Sequence, residues 1–135
     1  MEEIISFAKQ YEYNTLKIGI TVPVRLVLDD EIVVFEAKVD TGAANCIFER
    51  IHGERLGLTI ESGEKQVFST VAGNFTTFAH EVSLSVLEVE MFTKVYFAES
   101  PSYTRNVLGR QGWLDRVKLG LIDYEGKLLL SAYGK

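Results

Sequence analysis

"AKVDTGAANCIFER", residues Ala37–Arg50, decides how the rest of the chain is read. A mostly apolar run, Ile32 to Val39, delivers an acid, Asp40, directly before Thr41, Gly42 and Ala43. A carboxylate at the end of a core strand is costly unless something uses or pairs it. Each position here has chemistry to offer. The strand holds Asp40 rigidly, the Thr41 hydroxyl can tie neighbouring loops, and Gly42 lets backbone approach a ligand closely. Alone, the tripeptide is weak: Asp-Thr/Ser-Gly turns up by chance in roughly one chain of this length in twenty at average residue usage. The plain alternative is a strand-end turn in which Asp40 caps backbone amides.

Outward from this stretch the chain reads as strands. Thr15 to Leu28 is rich in β-branched residues and alternates loosely, which predicts a strand. Asp29-Asp30-Glu31 is the expected turn and Ile32 to Val39 the returning strand. Past Ala43, extended structure resumes over Asn45 to Phe48, and Glu49 to Leu56 predicts a short helical turn closed by Gly57. "KQVFSTVAGNFTTFAHEVSLSV", Lys65 to Val86, reads as two strands about the turn triplet Ala72-Gly73-Asn74. Glu88 to Phe97 continues the β pattern after a weak turn near Glu88 to Glu90. Pro101 to Arg105 is expected as loop and Gln111 to Arg116 as one helical turn. Val117 to Tyr133 predicts a hairpin about Tyr124-Glu125-Gly126. Many short strands with closely spaced turn signals predict a small all-β barrel with one or two short helical turns. The opening "MEEIISFAKQYEY" is expected as an arm or short helix, so residues 1–14 are set apart from a domain over 15–135.

Composition narrows the function classes. At 135 residues the chain suits one domain with a single real core. No apolar stretch approaches a membrane span, and the N-terminus lacks a basic segment followed by an apolar one, so the expectation is a cytoplasmic protein. The lone Cys46 agrees, having no internal partner for a disulfide. A net charge of −5 without a Lys/Arg run is the wrong sign for a nucleic-acid binder. Asn74-Phe75-Thr76 spells a glycosylation sequon that is idle without secretion. His52 and His80 lack ligand spacing, so no metal or other cofactor is expected.

Two further signals follow the first. Val71 to Phe75 forms the tip of a hairpin, and Asn106-Val107-Leu108-Gly109-Arg110 ends an apolar pair in Gly-Arg before a helical turn. Each has an ordinary explanation, a solvent-facing hairpin and a core strand leaving through a glycine. Taken in order, the apolar strand, Asp-Thr-Gly-Ala, the Gly-containing hairpin and Val-Leu-Gly-Arg resemble the retropepsin-like aspartic proteases, in particular bacterial single-domain members. The resemblance runs from about Thr15 to Tyr133. It implies a small closed β-barrel of the acid-protease type, a peptide or protein substrate, no cofactor, and no nucleic-acid or membrane partner. It further implies that Asp40 is the catalytic aspartate, that Thr41 braces the two catalytic loops across a dimer, and that Gly42 and Ala43 border the substrate. Ala72, Gly73 and Asn74 would form the flap tip, and Gly109 and Arg110 would support the active-site loop from behind. Two features depart from the retroviral pattern. Ala44 stands where an acid usually pairs with the arginine, and the chain runs on through "DYEGKLLLSAYGK".

Aspartic protease chemistry needs two carboxylates sharing one proton, because like charges about 3 Å apart cannot both ionise. No second Asp-Thr/Ser-Gly exists in the chain; Asp115 and Asp123 lack the strand-then-glycine setting, and Asp29-Asp30 falls in a turn. The second aspartate is therefore expected from a second copy across a two-fold axis, making a homodimer. The competing expectation is a catalytically silent barrel of the same type, acting as a peptide-binding or dimerisation module.

Overall fold

Period-two alternation builds most of the fold, which a computed structural model describes for residues 1–134. The elements run β1 (Lys9–Glu12), β2 (Thr21–Leu28), β3 (Glu31–Val39), β4 (Ile47–Phe48), α1 (Arg50–Arg55), β5 (Glu64–Thr70), β6 (Gly73–Val86), β7 (Val89–Ala98), β8 (Val107–Leu108), β9 (Val117–Ile122) and β10 (Lys127–Ala132). Three single 3₁₀ turns join them. In β2, Val22, Val24 and Leu26 point inward and are fully buried, while Pro23 and Arg25 face out. Pro23 is tolerated because β6 reaches β2 only at Arg25 to Val27, leaving the start of β2 paired on the β3 side alone.

The all-β expectation matches the structure. Pairings run β2-β3-β8-β4-β7-β6 and return from β6 to β2, so six strands form a ring, with β5 attached outside on β6. β6 is long enough to serve three neighbours: Gly73 to Ala79 pair with β5, Thr77 to Val86 with β7, and Ser83 to Ser85 with β2. The ring encloses Leu26, Phe48, Leu84, Phe97, Leu108 and Trp113, all fully buried. A second sheet, β1-β10-β9, adds Leu128 and Leu130 to the same core. No helix among the described residues is long and apolar enough to cross a membrane.

Four local expectations are corrected. The strand expected from Thr15 begins at Thr21, because the Asn14 side chain accepts from the Leu16 N–H (2.9 Å) and Gly19 takes a left-handed φ of +88°, turning the chain twice. Within the stretch expected as an arm or short helix, Lys9–Glu12 is a strand antiparallel to β10. Its alternation covers only four residues, and the ladder that fixes it lies at the other end of the sequence. The turn expected near Glu88 to Glu90 falls on Leu87 and Glu88, both at positive φ. The turn expected on Ala72-Gly73-Asn74 falls on Val71 and Ala72, with Gly73, at φ +122°, opening β6.

Candidate active site

Asp40 leaves the end of β3, where that strand runs parallel to β8 with Lys38 opposite Val107 and Val39 opposite Leu108. The two sequence signals are thus neighbours in the sheet. β8 lies between β3 and β4, pairing with both, so the Asp40 loop must span the gap that β8 fills. Backbone bonds fix that loop from below. The Asp40 N–H donates to the Leu108 carbonyl (3.0 Å), the Arg110 N–H to that of Ala43 (2.9 Å), and the Gln111 N–H to that of Ala44 (2.8 Å). The loop also closes on itself: the Ala43 N–H donates to the Asp40 carbonyl, and the Gly42 N–H to Asp40 Oδ1 at 2.9 Å.

Gly109 is the contact between the two segments. A Cβ there would lie 2.2 Å from the Asn45 carbonyl oxygen and 2.9 Å from that of Ala43, both backbone atoms with nowhere to retreat. Its own N–H faces Cys46 Sγ at 3.4 Å. Cys46 is fully buried, and burial pushes its thiol up to about 11, so it is a packing residue under the loop with no nucleophilic character. Below it the chain turns into Trp113, with the Leu114 N–H donating to the Gly109 carbonyl and the Asp115 N–H to that of Arg110.

Above the loop stands the β5–β6 hairpin. Asp40, Ala43, Ile47 and Val107 form one wall of a cleft of about 640 Å³, and Thr70 to Phe75 and Ser102 to Arg105 form the others. Ala72, Gly73 and Asn74 are therefore brought opposite Asp40. Thr41 and Gly42 are exposed beside it and do not line the cleft. Gly109 sits beneath the loop, whereas the Arg110 side chain is exposed and makes no ion pair among the described residues. Ala44, standing where an acid would meet it, is exposed too.

Tyr103 and Phe75 contribute a wall that short motifs did not reveal. Their rings stack 5.1 Å apart at 19°, joining the 99–106 loop to the hairpin, and Phe75 also meets Phe68, which packs edge-on against Tyr96. That loop is anchored at its far end: Asn106 Nδ2 donates to Glu49 Oε2 (2.6 Å), and the Glu49 N–H donates back to Asn106 Oδ1 (3.0 Å).

No family model and no curated protein matches the chain by sequence. Among solved structures, the EIAV protease complexed with the inhibitor HBY-793, a retroviral enzyme, matches with a TM-score of 0.54. The match covers 70% of this chain and 85% of the viral one at 24% identity. The fold is retropepsin-like. A retropepsin-like ring with an Asp-Thr-Gly loop opposite a hairpin tip can present a carboxylate to a chain lying in the cleft. Within one copy it presents a single Asp-Thr-Gly carboxylate.

Proposed function

We propose that this chain is an aspartic endopeptidase that acts as a homodimer. The observation that carries the reading is the placement of Asp40 on a backbone-locked loop in the wall of a cleft roofed by a hairpin tip. In the dimer, Asp40 of each copy faces the other across the two-fold axis, and the pair holds one proton. The ionised carboxylate takes a proton from water as that water attacks the scissile carbonyl carbon. The protonated carboxyl donates to the carbonyl oxygen, giving a tetrahedral diol, and proton return to the amine nitrogen releases the two peptides. Within each copy, the Gly42 N–H steadies Asp40 Oδ1 and so orients the carboxylate. The exposure of Thr41 and Gly42 supports the dimer, since these are the residues a second copy would meet.

A second reading is favoured by one observation, the unpaired Arg110 beside Ala44: a catalytically silent barrel that binds peptides or dimerises. Peptide cleavage measured against protein concentration, with sedimentation over the same range, separates the two. The peptidase reading expects specific activity to fall on dilution through the dimer dissociation constant. Adding excess Asp40→Asn subunits should lower it further, because mixed dimers carry one ionisable partner. Full specific activity in a solution shown to be monomeric would reject the shared dyad. A protein without cleavage at every concentration moves the assignment to the silent barrel.

A further inference from the structure

Asp40 and Arg105 are the two charged side chains among the described residues that line the cleft. Arg105 is exposed and makes no hydrogen bond or ion pair among the described residues. Arg50 is held by Glu54 (3.1 Å) and Glu61, and Arg116 donates to the Phe92 carbonyl (2.9 Å); of the arginines left without such a partner, Arg105 is the one that lines the cleft. At the Tyr103 hydroxyl burial pushes the titration up, the Arg105 charge pulls it down, and the Glu49 carboxylate pushes it up again. That places a cation beside the aromatic wall. No acid among the described residues pairs with Arg105: Asp40, which lines the same cleft, accepts from the Gly42 N–H. Glu49 is tied to Asn106, and Glu99 lines a separate depression on the other side of Tyr103.

An unpaired guanidinium that shares a cleft with Ile47, Val107 and Tyr103 is open to an anion entering that cleft. Its planar fork matches a carboxylate, and a peptide seated in the cleft would displace the water that screens the pair. We propose that Arg105 makes the cleft select peptides carrying an acidic side chain near the bond to be cut. This rests on the peptidase reading for what happens after binding, and deepens it by naming the substrate class. Two-fold symmetry places Arg105 twice, once on each side of the Asp40 pair. Acidic residues are thereby favoured on both the amino- and carboxyl-terminal sides of the bond.

The test uses fluorescent octapeptides of neutral sequence with Glu, Gln or Lys placed at each position in turn. Binding is read by anisotropy in the Asp40→Asn protein, which holds peptides uncut, and cleavage by mass spectrometry in the wild type. Arg105→Gln and Arg105→Glu are made in both backgrounds; the side chain makes no bonds, and melting curves confirm folding. The expected result is that Glu peptides bind roughly tenfold tighter than their Gln counterparts, the size of one charge-assisted hydrogen bond. Arg105→Gln removes that advantage, and Arg105→Glu transfers it to Lys peptides. Equal binding of Glu and Gln peptides, a Glu preference that survives Arg105→Gln, or no binding at all overturns the inference. Cleavage without an Arg105-dependent preference refutes the inference and spares the peptidase. An Arg105-dependent preference without cleavage does the reverse.

Discussion

The Asp40 loop and the tip of the β5–β6 hairpin face each other across one cleft, yet they are held in different ways. The loop is pinned by backbone bonds to Leu108, Arg110 and Gln111, with Gly109 filling the last space beneath it. Beyond the last ladder pair, Thr70 opposite Gly73, the turn residues Val71 and Ala72 are tied by one hydroxyl. Thr70 Oγ1 donates to the Gly73 carbonyl (2.8 Å) and accepts from the Ala72 N–H (3.2 Å), while Val71 and Ala72 stand exposed. The difference separates two tasks. On the proposed peptidase reading, a carboxylate that must meet its twin needs a floor without slack, and a roof that must admit a chain needs a low cost of opening.

The sharpest way to break this contrast is Gly109→Ala. The added methyl meets backbone on two sides, so stability should drop by about 3 kcal/mol or more, read by chemical denaturation. A loss below about 1 kcal/mol would show that the floor has give after all. Phe75→Ala acts on the roof: it removes the Tyr103 stack and the Phe68 contact from a half-buried position, at a cost of about 1 kcal/mol. If the chain is the proposed peptidase, the same change should raise KM more than it lowers kcat, since that reading has the hairpin position substrate without touching the proton transfers. Thr70→Val is subtler still. Its bonds are exposed, so the melting temperature should move by a degree or so, while amide exchange at Ala72 accelerates severalfold. Last comes an effect expected to be nil. With its thiol near 11, Cys46 at pH 8 holds only about a thousandth of its molecules as thiolate, and the chain above it is closed. Native protein should resist thiol reagents and label fully in denaturant; rapid native labelling would mean the floor opens.

The floor was legible in sequence and the roof only in outline. Asp-Thr-Gly-Ala and Val-Leu-Gly-Arg are short motifs whose residue types are set by local demands, a strand end and a backbone-on-backbone contact, so they show without a structure. The hairpin was legible as a β-rich run, but its turn sat nearer its start than expected, because Gly73 uses its positive φ to open β6 instead of forming the turn centre. Leu87 and Glu88 gave only a weak signal, one that placed the turn near Glu88 to Glu90. Their left-handed backbone is imposed by a ten-pair ladder between β6 and β7, with no glycine or asparagine to mark it. Tyr103 and Arg105 were read as plain loop, since only the meeting of that loop with Phe75 gives them a role. β1 was missed for a similar reason: its partner lies at the opposite end of the chain.

The insertion of β8 between β3 and β4 also sets an order of events in time. The β2–β3, β5–β6 and β6–β7 hairpins join neighbours in sequence and close quickly. β8 cannot enter until both of its flanking strands exist, and its Gly109 then meets Cys46 from 63 residues away. The seat of Asp40 is thus the last part of the ring to form. On this topology a newborn chain is expected to carry its aspartate on an unfixed loop until the ring closes around it. Pulse-labelled hydrogen exchange during refolding would record this as late protection of the Asp40 and Arg110 amides.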